Sequence, residues 1–291
     1  MHPALFTTSF PGKKVQCALC PHNCIIPEGR RGICGVRKNI GGKLFSLVYG
    51  KPIAIHIDPI EKKPLYHFYP GSKILSIGTF GCNLSCQFCQ NHEMSQAKDI
   101  KGFEKIAENA EYAPPEKIVR LCKESNLNFV AFTYNEPTVF YEYMLDTAKL
   151  CKKAGIKTAM VSNGQINPLP LKNLLPYLDA FNIDLKSFNQ RFYKEICNGD
   201  LNATKKCIES IVKAKKHIEV TLLLIEKYND NEKELRKMCA FLAKLDKRIV
   251  LHISRAFPHY KLKLNETPVE LIRKFKMIAE EYLENVYAGN I

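Results

Sequence analysis

No stretch of roughly 18 apolar residues occurs anywhere in the 291-residue chain, which excludes a membrane-spanning helix. The opening MHPALFTTSFPGKK lacks the apolar core of a secretory signal, so export is not expected and the cytoplasm is the expected compartment. Acidic residues are few beside basic ones: 29 Asp and Glu against 43 Lys and Arg, a net charge of +14. That balance favours acidic partners without naming one. A dense basic stripe is also missing, and few aromatics interleave with the lysines as single-strand binding would need. The lysines scatter along helix-like stretches and read as a solvated surface. A metal-stabilised nucleic-acid-binding module is therefore the alternative from another class. Steep salt dependence of RNA binding would mark it. Hydrophobic residues make up 46% of the chain, enough for a sizeable core in one or two domains.

What the chain has in excess is cysteine, twelve in all. Without export, clustered cysteines read as metal ligands rather than disulfides. Cys122, Cys151, Cys207 and Cys239 sit in helix-like apolar patterns and read as core. The other cysteines of note fall into two clusters. The stretch GCNLSCQFCQN places Cys82, Cys86 and Cys89 in a C-x3-C-x2-C pattern, with Phe88 before the last cysteine. Three thiolates at this spacing can hold three irons of a cubic cluster and leave the fourth iron open. A structural zinc knuckle would want four ligands in paired short spacings. Upstream, Cys17, Cys20, Cys24 and Cys34 form C-x2-C-x3-C-x9-C, with His22 among them. Four thiolates can close a tetrahedral zinc site or hold a second iron–sulfur cluster, and the spacing does not choose. The segment could act as an electron relay, a docking element or a structural staple. A reduced cysteine-rich turn without metal is the bland reading.

Residues 1–72 read as a cysteine-rich segment with short strands at Leu44–Tyr49 and Ile53–Ile57. His56 and His67 are solitary and read as structural. From residue 73 to 291, strands alternate with helices. Strands are expected at Ile74–Phe80, Phe129–Tyr134, Lys157–Val161, Ala180–Leu185, Ile218–Ile225 and Arg248–Ile253. Helices are expected at Pro114–Ser125, Val139–Ala154, Leu169–Leu175, Ala203–Lys216, Asn231–Lys244 and Pro268–Tyr282. Six strands with helical crossovers predict an α/β fold with a parallel sheet, curled into a partial (β/α)6 barrel. Chemistry in such barrels sits at the C-terminal strand ends.

Those ends carry a series of polar groups. The first meets the three cysteines. The second carries TYNEP, where Glu136 can accept from an ammonium, with Asn135 beside it. The third carries Ser162 and Asn163, suited to ribose hydroxyls. The fourth carries Asp184 and Lys186, which strand alternation puts on one side. The sixth carries His252. Singly, each could be a turn, a cap or a surface ion pair. Around one cysteine loop they read as a cofactor-binding rim.

With Phe88 in place, the cysteine loop resembles that of the radical S-adenosylmethionine (SAM) enzymes. The order cysteine loop, TYNEP, SNG, DLK resembles the pyruvate formate-lyase activating enzyme group. CALCPHNC, IEKKPLYHF, GTFGCNLSCQFCQN, TYNEPT, DLKSF and LHISRAFPHYKL, over nearly the whole chain, resemble the radical SAM member of the AmmeMemoRadiSam system. The resemblance implies a 4Fe-4S cluster on Cys82, Cys86 and Cys89, with SAM on the fourth iron. It implies Asn135 and Glu136 at the methionine end, and Ser162, Asn163, Asp184 and Lys186 around the cofactor. It implies an external one-electron donor of the flavodoxin or ferredoxin type. Hydrogen abstraction would fall on a glycine of a partner protein, or alternatively on a small molecule, RNA or another protein residue. Two departures stand out. Activating enzymes often have an acidic residue where Val161 stands, and relatives usually continue past VYAGN with further cysteines, whereas this chain stops at Ile291.

Overall fold

The computed structural model describes residues 1–263 and 265–291. Eight strands form one sheet: β1 (Ala54–Pro59), β2 (Lys73–Gly78), β3 (Phe129–Phe132), β4 (Lys157–Ser162), β5 (Ala180–Asp184), β6 (His217–Leu224), β7 (Val250–Arg255) and β8 (Val286–Gly289). They lie side by side in chain order. Strands β2 to β8 pair in parallel, and β1 pairs antiparallel to β2. The six expected strands are thus the centre of the sheet. One further strand extends each edge, and β1 comes from within the first 72 residues. The sequence pattern missed β8, whose four residues VYAG are too short to show alternation.

The central strands are buried along most of their length; all of Phe129–Phe132 is. A parallel sheet covered on both faces requires this, since helices pack over it. The crossovers are α1 (Pro115–Glu124), α2 (Tyr141–Lys153), α3 (Pro168–Leu174), α4 (Leu201–Lys213) and α5 (Glu232–Leu245), followed by α6 (Val269–Glu280). Local chemistry sets their ends. Pro115 opens α1, where a missing N–H costs nothing. Asp200 and Asn231 cap α4 and α5 by accepting from the amides of Asn202 and Glu234. Gly155, at φ +74°, follows α2 in the left-handed conformation that a side chain would strain. In α6, Ile272, Phe275, Ile278 and Ala279 are buried at helical spacing.

The N-terminal segment folds as two three-stranded sheets, one from His2–Pro3, Arg37–Ile40 and Lys43–Ser46, the other from Thr7–Phe10, Lys14–Cys17 and Ile25–Ile26. Val15, Leu19, Ile26 and Val36 belong to the same apolar core as the barrel. A buried ion pair fixes the junction. Arg37 donates to both carboxylate oxygens of Glu142 on α2, the closer at 2.8 Å, and both residues are 2% exposed. The Leu5 amide donates to Glu142 as well, at 2.8 Å. Asn167, just before α3, donates to the carbonyls of Ala18 and Cys20.

Candidate functional site

The C-terminal ends of the strands surround a cavity of about 800 Å³. The loop after β2 brings Cys82, Cys86 and Cys89 to it, with Phe88 in its wall. Backbone bonds hold that loop: Ser85 and Gln87 donate to the carbonyls of Cys197 and Ile196, and Gly81 to Met94. Gly81 has φ +95°, and a Cβ there would stand 2.6 Å from the Val36 side chain and 2.9 Å from the Cys34 carbonyl. A glycine is what lets the loop lie against the N-terminal segment.

Asn135, Glu136, Ser162, Asn163, Asp184, Lys186 and His252 all line the same cavity. Their hydrogen bonds give several of them a different immediate task from the one expected. Glu136 is 2% exposed. Its Oε1 accepts from the Thr138 amide at 2.9 Å, the Thr138 hydroxyl at 2.6 Å and the Ser162 hydroxyl at 2.8 Å. Its Oε2 accepts from the Asn163 amide at 2.8 Å, which leaves that oxygen acceptor capacity toward the cavity. Burial pushes the Glu136 carboxyl up despite these donors. The Ser162 hydroxyl thus gives its one donor to Glu136 and accepts from the Gly164 amide at 3.0 Å. Asn135 accepts from the Thr79 amide and donates to the Gly81 carbonyl at 2.7 Å, bracing the cysteine loop. Asn163 donates to Asn83 at 2.9 Å and reaches Cys82 Sγ at 3.7 Å. These side chains build the rim before any ligand meets it.

On the next strand end, Lys186 donates to Asp184 at 2.8 Å and lies 5.9 Å from the Phe88 ring. Burial works against the ammonium, but Asp184 and the Cys86 sulfur outweigh it and hold its pKa well above the usual range. The cation therefore persists beside the cysteine loop at neutral pH.

Three features escaped the sequence. Cys197 is fully buried, and its thiol is the main cause of a lowered Cys86 pKa. Burial pushes Cys82 and Cys89 up. Cys197 does not line the cavity, so it supports Cys86 from the core side and does not cap the open face. Nothing in its local sequence marks it. Glu219 is fully buried and accepts from His217 at 2.8 Å, His252 at 2.6 Å, and the amides of Tyr66 and His67 at 2.9 and 2.8 Å. Burial opposes its charge, but these donors bring its pKa down to about 2. A lone acid inside the apolar strand HIEVTLLL was the available signal. Lastly, Asp58 on β1 accepts from Lys63 at 2.6 Å and Tyr134 at 2.7 Å. Those bonds, against burial, hold its carboxyl well below the usual range. This trio forms another wall of the cavity. Of the two solitary histidines, His56 lines that wall, and His67 bonds the Tyr287 hydroxyl at 2.8 Å.

Among the described residues, no three His, Cys, Asp or Glu side chains converge closely enough to share one metal ion. The loop thiols instead stand around the end of a roomy cavity, as the ligands of a larger cluster must. The donor set is all sulfur, which suits iron–sulfur chemistry. Among the described residues no helix is long and apolar enough to cross a membrane.

Comparison with known proteins agrees with this geometry. Residues 76–242 match the model of the radical SAM superfamily. An uncharacterized protein of Methanocaldococcus jannaschii is 40% identical over 295 residues, spanning 100% of this chain and 86% of its own. A second protein of that organism, provisionally named a glycyl-radical enzyme activating enzyme, is 28% identical over 225 residues, 73% of this chain and 79% of its own. The crystal structure of a radical SAM methyltransferase from Sphaerobacter thermophilus shares the fold, with a TM-score of 0.55 at 14% identity over 76% of this chain and 67% of that one. The match spans more than half of the chain and coincides with the strand ends that carry the thiols, so the protein belongs to the radical SAM superfamily.

Proposed function

We propose that Cys82, Cys86 and Cys89 hold the 4Fe-4S cluster of this radical SAM enzyme, and that the rim described above holds SAM. Superfamily membership makes the protein an enzyme that uses this cluster and SAM. When bound, the pair supplies reductive cleavage of SAM to a 5′-deoxyadenosyl radical, driven by one electron from an external donor. The protein's own residues bind, orient and shield. Glu136 Oε2 offers an acceptor to the SAM ammonium, while its Oε1 locks the Ser162–Asn163 turn to the Pro137 turn. Lys186 offers a cation to a carboxylate, steadied by Asp184. Phe88 closes the apolar side and keeps water from the loop. His252 is held by Glu219 so that its ring faces the cavity without swinging.

The observation that carries this reading is the placement of three thiols and seven polar strand-end residues around one cavity. The test is anaerobic incubation of the reconstituted protein with SAM and dithionite. 5′-Deoxyadenosine should form, and should be absent from a Cys86→Ala control. Equal amounts in both would reject the assignment.

For the substrate, we infer a glycine of a partner protein, a glycyl-radical enzyme. The support is the relative that carries an activating-enzyme name over 79% of its own length. The cavity of about 800 Å³ lies near the upper end of small-molecule sites, so a peptide segment can enter beside a cofactor. The wall of Asp58, Lys63 and Tyr134 would face that segment. An electron paramagnetic resonance (EPR) doublet on a co-incubated glycyl-radical protein would support this. SAM cleavage without any such signal would turn the reading to another substrate.

A further inference from the structure

Behind the loop lies a second, smaller cavity. It offers about 20 Å³ to the centre of a water-sized sphere, and Cys17, Cys20, Cys24 and Cys34 all line it. We infer that this cavity holds an iron–sulfur cluster ligated by these four thiolates, distinct from the one on the loop.

Size is the first discriminator. In a tetrahedral zinc site each sulfur lies about 2.3 Å from the metal, so four sulfur surfaces leave no void that a water could fill. Here such a void exists, and no three of the thiols converge on one point among the described residues. Four sulfurs spaced around a void suit a body larger than one ion. The cubic cluster is the all-sulfur body of that kind.

The second observation is Arg37. It is 2% exposed and lines the cavity. Its Nη atoms donate to Glu142 and to the Leu5 carbonyl, but its Nε–H finds no acceptor among the described residues. A buried donor left unmatched loses its bond to water without a replacement. An anionic sulfur body in the cavity would supply the missing acceptor. Hydrogen bonds and charge next to the sulfurs are also what set a cluster's potential.

Third, backbone bonds and a barrel contact hold the cysteines in place. Cys17 sits in a strand and donates its amide to the Cys24 carbonyl at 2.9 Å, while Asn167 of the barrel anchors the Cys20 carbonyl at 3.1 Å. The remaining wall includes the apolar side chains of Leu19, Ile26 and Val139. Four protein ligands leave no open iron, so this cluster would carry electrons and not bind substrate.

Its place fits that task. Asn83 lines this cavity and follows Cys82 in the loop. The His22 ring bonds the Asn83 carbonyl at 2.7 Å, and Asn163 bridges Asn83 and Cys82. Asn83 thus touches both thiol sets: it lines the small cavity and adjoins Cys82. A single electron arriving from an external low-potential donor protein could pass through without any bond being made or broken.

The test counts metal in three anaerobically reconstituted proteins. The wild type should hold about eight irons and eight sulfides, and a Cys82→Ala/Cys86→Ala/Cys89→Ala variant about four of each. A Cys20→Ala/Cys24→Ala variant should also hold about four. The triple variant, reduced with dithionite, should still give a cluster EPR signal. Zinc in place of iron in the triple variant, or no metal in it with four irons in the wild type, would overturn the inference. Because each variant leaves the other site intact, failure here and failure of the loop assignment show in different samples. Should the double variant not fold, the wild type and the triple variant decide alone.

Discussion

Replacing Glu219 by Gln tests whether one buried carboxylate ties the loop before β2 to the back of the site. Four donors converge on it, two per oxygen: His217 and the His67 amide on one, His252 and the Tyr66 amide on the other. Glutamine keeps one carbonyl oxygen and turns an NH2 toward the donors at the second. Its pKa is held near 2 against an ordinary 4.5, a difference that corresponds to roughly 3 kcal/mol. An independent figure comes from hydrogen bonds to charged groups, about 1.5–3 kcal/mol each, with two of them lost. The two routes agree to within their spread. The sign follows from the folded value lying below the unfolded one. The stabilisation is complete above about pH 4.5 and is lost as the pH falls through about 2. Denaturant unfolding of both proteins at pH 7 should show Glu219→Gln less stable by roughly 3 kcal/mol, and at pH 3 the gap should narrow by about 2 kcal/mol. SAM binding should weaken too, because Tyr66 and His252 line the cavity. Equal stability at pH 7, or the same gap at both pH values, would refute the account.

Arg37→Met should cost about 3–5 kcal/mol in thermal unfolding, because it strands Glu142 in the core, and Arg37→Met/Glu142→Leu should recover most of that loss. Gly81→Ala forces a side chain into a left-handed backbone and against Val36 and Cys34. A loss of about 1–3 kcal/mol is expected, with reduced iron uptake at the loop measured by iron count. Cys197→Ala should leave the loop cluster in place but lower its reduction potential in an EPR-monitored titration, since the thiol that favours negative charge on Cys86 is lost. An unchanged potential would show that Cys197 is packing alone.

Most of the barrel could be read from the chain because its elements are long and strongly patterned. Asn231 announces its helix, Gly155 stops another, and each apolar strand run is bounded by polar turns, whereas the Asp200 cap went unread and its helix was expected to begin at Ala203, two residues late. The cysteine loop was legible for a different reason: three ligands lie within eight residues, so local spacing alone fixes their relation. The strand-end residues followed from one topological rule, that parallel crossovers bring all C-terminal ends to one rim. What spacing could not convey was division of labour. Glu136 and Ser162 were both read as facing a ligand, yet they face each other first.

The sequence by itself determined the parallel barrel, the three-thiol loop and the polar rim, since these depend on periodicity and on residues close in the chain. Only the tertiary structure decided that Cys197 supports Cys86, that Glu219 fastens His252, and that four upstream thiols stand around a void beside an unmatched Arg37 Nε. Each of these joins residues far apart in the chain or turns on the shape of empty space. Such relations exist only once side chains have packed, and no local pattern encodes them.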